Sequence, residues 1–245
     1  MRLFALTDIG KVRKENQDAW RVCGDAQESE LALVVCDGMG GANAGGTAST
    51  LASECFTAHV LDCLQATDRL PPDAIVRDAA AYANLRLYDH AFSDADCRGM
   101  GTTLVGGLFL GRTAAIVNVG DSRAYLLRSG TGLRRVTEDH SLVAELVAAG
   151  KLTAEQARNH PRRNVITRAL GMDSEIRSDV FPLTLESGDR LLFCTDGLSN
   201  QIEDFEIEEI LRQNAEPEGC CRALLDTALE RGAPDNVTAA VLFAD

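Results

Sequence analysis

The sequence predicts an α+β fold in which mainly antiparallel β-sheet is covered by helices. The chain has 245 residues, 45% of them hydrophobic, which is enough to bury the core of a single domain. Three β-rich runs follow one another in the middle of the chain, separated by turns too short for a parallel crossover. Stretches with helical hydrophobic periodicity lie before and after these runs, which is the order of elements expected for an α+β protein.

The first third of the chain is predicted to contain a buried strand followed by two helices. Leu31–Cys36 is a continuous apolar run that ends at an Asp-Gly turn, as expected for a buried strand. A helical pattern begins at about Thr47, and a second helix is expected to begin after Pro71 and Pro72. The predicted inner face of the first helix comprises Leu51, Cys55, Phe56, Val60, Cys63 and Leu64. That of the second comprises Ile75, Ala79, Ala83 and Leu87.

The three β-rich runs, Thr102–Leu110, Thr113–Val119 and Ser122–Arg128, are predicted to form one antiparallel meander. Beyond them, Thr153 and Gln156 are spaced as a capping box for a short helix near residues 154–160. The last predicted elements are a strand, two helices and a closing strand: Arg190–Cys194, Asp204–Asn214, Gly219–Arg231 and Val237–Phe243. No long linker or internal repeat divides the chain, so residues 1–245 are expected to form one domain.

The composition excludes several classes of partner. The chain has 24 Lys and Arg against 37 Asp and Glu, and this net charge of −13 repels nucleic acid and anionic lipid. No apolar run approaches the roughly 20 residues of a membrane span, and the amino terminus does not resemble a signal peptide. The eight cysteines form no C-x-x-C and are expected to be reduced thiols of a cytoplasmic protein, although the adjacent Cys220 and Cys221 leave a redox role open.

Four aspartates stand at the ends of predicted strands. Asp37 follows the strand in VVCDG, Asp196 follows the strand in LLFCTDG, and Asp121 lies between two β-rich runs in NVGDSR. Asp235 precedes the last strand in GAPDN. A single aspartate in such a place is usually a turn residue that hydrogen-bonds its own backbone. Four of them are a different pattern, because strands that end at one rim of a sheet would bring these side chains together.

Such a cluster of carboxylates would have to be protonated or bind a cation. Two carboxylates about 4 Å apart repel each other by roughly 4 kcal/mol at an effective dielectric constant of about 20. Oxygen ligands favour Mg²⁺ or Mn²⁺, and no set of cysteines and histidines suggests structural zinc. Gly38 can add its backbone carbonyl to the ligands. Two ions sharing one aspartate would lower the pKa of a bound water and support displacement at phosphorus.

The glycine-rich stretch after Asp37 fits two nucleotide-binding patterns poorly. A G-x-G-x-x-G motif that begins at Gly38 would need glycine at position 43, which is Asn43. A Walker motif from Gly40 has Gly46 in place of its lysine. No serine stands in a nucleophile elbow, so a hydrolase with a covalent serine intermediate is disfavoured.

The segment TDIGKVRKENQDAW, residues 7–20, is the remaining candidate for a functional element. A solvated loop would explain it. If it folds over the carboxylates instead, Arg13 can donate two hydrogen bonds to a phosphate. Asp18 can then orient waters bound to the metal without binding the metal directly.

Eight blocks in this order resemble the bacterial metal-dependent serine/threonine protein phosphatases of the PP2C (PPM) type. They are TDIGKVRKENQDA, VVCDGMGGANAGG, GTTLVGG, NVGDSRAYLLR, TEDHSLV, ITRALG, LLFCTDGLSN and APDNVTAAVL. The resemblance extends from about residue 7 to about residue 243. It implies a four-layer α-β-β-α sandwich of two mainly antiparallel sheets flanked by helices.

The resemblance also implies a binuclear Mn²⁺ or Mg²⁺ centre at one end of the sandwich. By similarity, Asp37 bridges the two ions, and the carbonyl of Gly38 binds one of them. Asp196 and Asp235 complete the shell of the other ion, and Asp121 helps Asp196 to hold a third, weaker ion. Water or hydroxide activated at this centre attacks phosphoserine or phosphothreonine directly, without a phosphoenzyme.

The substrates implied by the resemblance are phosphorylated proteins, among them a Ser/Thr kinase and its targets. Arg13 matches the arginine that receives the substrate phosphate, and residues from about 141 to 167 correspond to a flap beside the site. We expect a monomer. The alternative is a catalytically silent, phosphoprotein-binding regulatory module, but such proteins usually lose a metal-binding acid and this chain has lost none. A structural cation-binding domain is a third reading.

Two departures from the family pattern concern the metal and the proton. Many relatives have glutamate where this chain has Gln17, so Gln17 is not assigned as a ligand and the second ion is expected to depend on waters ordered by Asp18. Relatives also carry a histidine at one of two positions that are Met39 and Ala42 here. The usual general acid is therefore missing, and His140 and His160 are expected to be structural or to belong to the flap. A water on the metal is then the candidate proton donor.

Overall fold

The computed structural model describes residues 1–25, 30–40 and 44–244. Its first half contains β1 (Arg2–Asp8), β2 (Asp18–Asp25), β3 (Glu30–Met39), α1 (Ala44–Gln65), α2 (Pro72–Ser93), β4 (Gly101–Thr102), β5 (Leu104–Leu110) and β6 (Thr113–Val119). Its second half contains β7 (Arg123–Arg128), β8 (Gly132–Arg135), α3 (Leu142–Ala148), α4 (Ala154–Arg158), β9 (Asp179–Thr184), β10 (Arg190–Cys194), α5 (Asp196–Ser199), α6 (Asp204–Gln213), α7 (Pro217–Glu230) and β11 (Val237–Phe243). A short 3₁₀ turn, Ala95–Cys97, follows α2.

The strands form two antiparallel sheets that pack face to face. The first sheet has the order β1-β11-β10-β7-β8, and the second has the order β2-β3-β5-β6-β9, with β4 paired to β3. One cluster of buried side chains, including Leu33, Phe109, Phe193 and Leu242, fills the space between the sheets. The rings of Phe109 and Phe193 meet edge to face across it, with centroids 6.3 Å apart.

Helices cover the outer face of each sheet. Residues of α1 and α2 pack on the second sheet in one apolar cluster. Residues of α5, α6 and α7 pack on the first sheet in another. The order of layers is therefore α-β-β-α, as the family resemblance implies. The predicted inner stripe of α2 is confirmed, because Ile75, Ala79, Ala83 and Leu87 are fully buried.

Strand β3 shows why the central strands have continuous apolar sequences. Alternate residues point to opposite faces of a sheet. Leu33 and Val35 point into the space between the sheets, whereas Val34 and Cys36 point toward α1 and α2. Both faces of β3 are covered, so every position in Leu31–Cys36 is buried.

The predicted three-stranded meander is wrong in its third strand. β5 and β6 do pair with each other, but β7 pairs with β10 and β8 in the first sheet. The connection from β6 to β7 therefore crosses from one sheet to the other. Gly120 begins this crossing with a φ of +109°, a conformation that favours glycine, and Thr103 packs tightly against it. Both sheets bury both faces, so the apolar pattern of β7 does not reveal which sheet it joins.

Within the part of the chain that the structure describes, no helix is both long enough and apolar enough to span a bilayer.

Candidate active site

The four aspartates singled out in the sequence surround one end of the sandwich, and we call them the aspartate rim. Asp37 lies near the end of β3 in the second sheet, and Asp196 begins α5, directly after β10 of the first sheet. Asp121 lies in the crossing between β6 and β7, and Asp235 precedes β11. The carboxyl groups of Asp37 and Asp196 are in hydrogen-bonding contact, so the rim joins the two sheets.

Hydrogen bonds to two threonines fix the backbone of Asp37 through both its N–H and its carbonyl. Its N–H donates to Oγ1 of Thr103 (3.0 Å), and its carbonyl accepts from the Thr103 N–H (2.9 Å) and from Oγ1 of Thr102 (2.8 Å). Burial raises the pKa of the Asp37 carboxyl well above its usual range, and the negative charges of the neighbouring aspartates, Asp18 first, raise it further. The protein fixes this carboxyl where its negative charge is unfavourable unless a cation is present.

A close backbone contact brings Asp196 toward Asp235. A Cβ atom on Gly197 would lie only 1.9 Å from the carbonyl oxygen of Asn236, so only glycine allows α5 and the segment before β11 to approach this far. Burial raises the pKa of Asp196, and the charge of Asp235 is the next cause. The amide of Asn200 donates to Oδ2 of Asp196 (3.0 Å) and orients the carboxyl.

The carboxyl of Asp121 also interacts electrostatically with the other aspartates of the rim. Burial raises the pKa of its carboxyl to about 8, and the charges of Asp196 and Asp139 add to this effect. The neighbouring hydroxyl of Ser122 is 2.7 Å from Oγ1 of Thr103, which also binds the backbone of Asp37. The crossing between the sheets is thereby linked to the end of β3.

Asp18 lies opposite Asp37 in the register of β2 and β3 and is buried. Its Oδ2 accepts hydrogen bonds from the hydroxyls of Thr195 (2.9 Å) and Thr238 (2.6 Å). Its Oδ1 is buried and has no partner among the described residues. Burial raises the pKa of Asp18 to about 7. A buried carboxyl oxygen without a partner fits the expected role of orienting waters around a metal.

Arg13 reaches the rim, as the sequence suggested. Its Nη2 donates to Oδ2 of Asp235 (2.7 Å), and about half of its side chain remains exposed. The segment that carries it is fixed by Asn236, which sequence reasoning missed. The Asn236 amide donates to the carbonyls of Ile9 and Glu15 (both 2.9 Å), and its Oδ1 accepts from the N–H of Gln17 (2.9 Å). The position of Asn236 next to Asp235 in APDNV was the available signal.

Gly38 is glycine for a reason other than the one expected from the sequence. It lies in extended strand backbone, and a Cβ atom there would be 2.0 Å from the carbonyl oxygen of Gly45 in the first turn of α1. The small residue thus allows α1 to begin directly against β3. Its expected role as a carbonyl ligand stays a prediction.

His140 is buried and its two ring nitrogens are occupied. Nδ1 accepts from the N–H of Gly120 (3.0 Å), and Nε2 lies 3.0 Å from Oδ2 of Asp179. Burial lowers the pKa of the ring, so the neutral form is favoured. These contacts support a structural role for His140. Of the two positions where relatives carry histidine, Met39 ends β3 and Ala42 lies outside the described residues.

The donor set of the rim fits a hard divalent cation. It consists of carboxylate oxygens whose charges raise one another's pKa, with one unpartnered oxygen on Asp18 close by. Among the described residues, however, no three carboxylates of the rim place ligand atoms within 4.8 Å of one another. A bound ion would therefore have to draw these side chains inward, and it would compete with Arg13 for Asp235.

The profile of the family described as Protein phosphatase 2C matches residues 11–230. The chain belongs to the protein phosphatase 2C family. Among related sequences, the serine/threonine phosphatase Stp of Listeria welshimeri is 36% identical over 232 residues, which cover 95% of this chain and 91% of that protein.

Solved structures agree with this PP2C assignment. The Mycobacterium tuberculosis serine/threonine phosphatase PstP/Ppp matches with a TM-score of 0.88 and 36% identity, covering 100% of this chain and 98% of that one. The catalytic domain of PstP in complex with two manganese ions matches with a TM-score of 0.86 and 35% identity, at the same coverage. The predicted fold class is thereby confirmed.

A cavity of about 750 Å³ adjoins the rim of this PP2C chain. Asp121 and Asp196 line this cavity together with residues of α3 and α4. Nη2 of Arg158 on α4 donates to the carbonyl of Ser199 on α5 (3.1 Å) and holds this segment beside the site. The capping box predicted for α4 from Thr153 is present. Five arginines line the cavity: Arg123, Arg135, Arg158, Arg163 and Arg168.

The metal-free PP2C chain is expected to lose stability as the pH rises from about 6.5 to about 8. The pKa is raised to about 7 for Asp18 and to about 8 for Asp121, so the folded state binds more protons than the unfolded state in this window. The buried His140 has the opposite effect because its pKa is lowered, and this effect fades as the pH rises above about 6.5, the ordinary pKa of histidine. Thermal unfolding in EDTA across this range measures the trend.

The variant Asp121→Asn should weaken this pH dependence. A melting temperature that stays constant or rises between pH 6.5 and 8 in the wild type would contradict the raised pKa values.

Proposed function

We propose that the chain hydrolyses phosphoserine and phosphothreonine in proteins, with two Mn²⁺ or Mg²⁺ ions bound at the aspartate rim. The observation that carries this proposal is the contact between Asp37 and Asp196, which joins the two sheets at a cluster of carboxyl groups whose pKa values are raised. The relatives named as serine/threonine phosphatases, and PstP with its two manganese ions, support the same conclusion.

Five groups would hold the ions. Asp37 would bridge the two ions. The carbonyl of Gly38 would bind one of them, and Asp196 and Asp235 would complete the shell of the other. Asp121 would hold a third, weaker ion together with Asp196. When bound, the ions would lower the pKa of a water and offset the negative charge of the phosphoryl group. The carboxylates of the rim repel one another, and bound cations would neutralise their charge.

The protein's own side chains would bind the substrate phosphate and orient a water in the site. Arg13 is exposed and already pairs with an oxyanion, the Asp235 carboxylate, so its guanidinium can exchange this partner for a substrate phosphate. Asn236 holds the loop that carries it. Asp18, anchored by two threonine hydroxyls, has one buried oxygen free to accept a hydrogen bond from a water in the site.

The finer features of the function are also proposals. The phosphorylated substrates would include a Ser/Thr kinase and its targets, and the enzyme would act as a cytoplasmic monomer. The eight cysteines are free thiols in the structure, which supports a reducing compartment. The domain would extend over residues 1–245, with α3, α4 and their connections as the flap at about residues 141–167.

Turnover that depends on metal tests the proposal. The purified protein should hydrolyse p-nitrophenyl phosphate and phosphothreonine peptides in the presence of Mn²⁺, and EDTA should abolish both activities. A catalytically silent phosphoprotein-binding module would bind the phosphopeptides without releasing phosphate, and a structural cation-binding domain would only be stabilised by Mn²⁺. Either of these results would refute the assignment as an enzyme.

Arg13→Ala is expected to weaken substrate binding more than turnover. Loss of a bidentate contact to phosphate should raise KM by about tenfold or more, since charged hydrogen bonds of this kind contribute roughly 1.5–3 kcal/mol. Steady-state kinetics at saturating Mn²⁺ measure this effect. Arg21→Ala is the matched control, because Arg21 is an exposed arginine on β2 that pairs with Glu54. An unchanged KM in Arg13→Ala would contradict the role of Arg13.

A further inference from the structure

A second group of potential metal ligands lies at the end of α2, in a part of the chain that contributes nothing to the aspartate rim. His90 is in the last turn of this helix, Asp94 directly follows it, and Cys97 ends the 3₁₀ turn. One ring nitrogen of His90, one carboxylate oxygen of Asp94 and the sulfur of Cys97 all lie within 4.8 Å of one another. Among the described residues, only this group of three meets that distance.

The backbone explains why the three side chains converge. The Asp94 N–H donates to the carbonyl of His90 (3.0 Å), and the Cys97 N–H donates to the carbonyl of Asp94 (3.1 Å). Spacings of four and three residues correspond to one turn each, so the side chains share one face. The N–H of Asp96 donates to Oδ1 of Asp94 (3.0 Å) and fixes the carboxylate.

The three donors are also available to a ligand. Within the described part of the chain, the imidazole of His90 has no hydrogen-bond partner, and the side chain is half-buried. The thiol of Cys97 is buried and hydrogen-bonds to Asp94. Burial raises the pKa of this thiol, and the charges of Asp94 and Asp96 raise it further. The surroundings are negative and lie at a helix C-terminus, which favours a cation.

We propose that His90, Asp94 and Cys97 bind one Zn²⁺ ion, with a water as the fourth ligand. One nitrogen, one oxygen and one sulfur are a donor set that suits zinc and disfavours Mg²⁺ or Mn²⁺. Bonds of about 2.0–2.3 Å in a tetrahedron place ligands about 3.3–3.7 Å apart, so the three atoms need only a small inward movement. Binding forms a zinc–sulfur bond and releases the thiol proton to solvent.

An ion here would fasten the end of α2 to the segment that leads into β4. Strand β4 pairs with β3, and Thr102 of β4 donates to the carbonyl of Asp37, so this segment is connected to the aspartate rim. The proposal nevertheless stands apart from the phosphatase reaction, because none of the three ligands belongs to the site assigned to it.

Cobalt spectroscopy distinguishes this site from the carboxylate site. Titration of the metal-free protein with Co²⁺ should produce a thiolate-to-cobalt charge-transfer band that saturates and is abolished by Zn²⁺. The aspartate rim has no sulfur ligand and cannot contribute to this band. Cys97→Ser should lose the band completely, and His90→Ala should shift its saturation to higher Co²⁺ concentration. Cys63→Ser is the control, because Cys63 is a half-buried cysteine on α1.

Hydrolysis of p-nitrophenyl phosphate with Mn²⁺ by Cys97→Ser should equal that of the wild type, which also shows that the variant is folded. Should that variant fail to fold, the stabilisation of the wild type by Zn²⁺ added at saturating Mn²⁺, and its loss in Asp94→Asn, provides the second measurement. Absence of the band in the wild type, its persistence in Cys97→Ser, or equal stabilisation of Asp94→Asn by Zn²⁺ would overturn the proposal.

Discussion

Asp37→Asn should lose nearly all metal-dependent phosphatase activity while keeping its fold. Asp37 is the carboxylate that contacts Asp196 across the two sheets, so its loss removes the group shared by both proposed ions. Several kcal/mol of charge stabilisation then disappear, and kcat/KM should fall by about 10³-fold or more. Hydrolysis of p-nitrophenyl phosphate at saturating Mn²⁺ is the measurement. Near wild-type turnover would exclude a bridging role for Asp37.

The same substitution should make the metal-free protein more stable. The raised pKa of Asp37 means that its ionised form is unfavourable in the folded state, and asparagine removes that charge while keeping the size of the side chain. In EDTA at pH 8 we expect the melting temperature to rise by roughly 3 °C or more, since a change of 1 kcal/mol shifts it by about 2–4 °C in a chain of this size.

The control for this stability effect is Asp226→Asn, at an exposed position on α7. It should change neither activity nor melting temperature appreciably. A lower melting temperature of metal-free Asp37→Asn would mean that the carboxylate stabilises the fold instead of being stabilised by a metal.

The helical layers could be predicted because their sequences repeat at the helical period. The stripe of α2 was identified in full, and both helices pack on the second sheet. Of the face predicted for α1, Phe56, Val60 and Leu64 are buried, whereas Leu51, Cys55 and Cys63 are only partly buried. Strands β3 and β10 were also predicted, because their buried stretches, Leu31–Cys36 and Leu191–Cys194, are apolar throughout. In each case the local hydrophobic pattern of the element predicts which of its residues are buried.

The outer strands carried too little local signal. β1 and β2 lie at the edges of the sheets, so several of their residues are half-buried or exposed and the apolar alternation is weak. β9 is also an edge strand and contains Pro182, which a central strand would not tolerate. The crossing of β7 to the first sheet could not be predicted either, because sheet membership depends on pairing between distant segments.

In the site, the four aspartates could be predicted from the sequence, whereas the hydrogen bonds that hold the site together could not. Each aspartate of the rim follows or precedes a strong strand signal, and the repetition of that pattern indicated a common purpose. The hydrogen bonds of Asp18 to Thr195 and Thr238 join residues that are 177 and 220 positions apart in the sequence. No local pattern encodes such contacts, and the same is true of the contacts of Asn236 with the amino-terminal segment.

Gly197→Ala tests whether such a distant contact determines the geometry of the rim. The added methyl group would lie 1.9 Å from the carbonyl oxygen of Asn236, and neither backbone can accept it without moving. We expect unfolding free energy to fall by roughly 2–3 kcal/mol, as for other overpacked positions. Separation of Asp196 from Asp235 should also reduce kcat/KM by about 10²-fold, the effect of a displacement near 1 Å.

The matched control is Gly46→Ala, because a methyl group on Gly46 in α1 meets no atom within 4 Å. Alanine should stabilise that helix by about 0.5–1 kcal/mol. Urea unfolding in EDTA and kinetics over a range of Mn²⁺ concentrations separate the two effects of Gly197→Ala. If the variant is less stable yet keeps its kcat/KM and its Mn²⁺ dependence, the close approach of α5 to the segment before β11 stabilises the fold without positioning the carboxylates. If stability and kcat/KM both fall, this one backbone contact holds Asp196 and Asp235 in place. No local sequence pattern predicts such a contact.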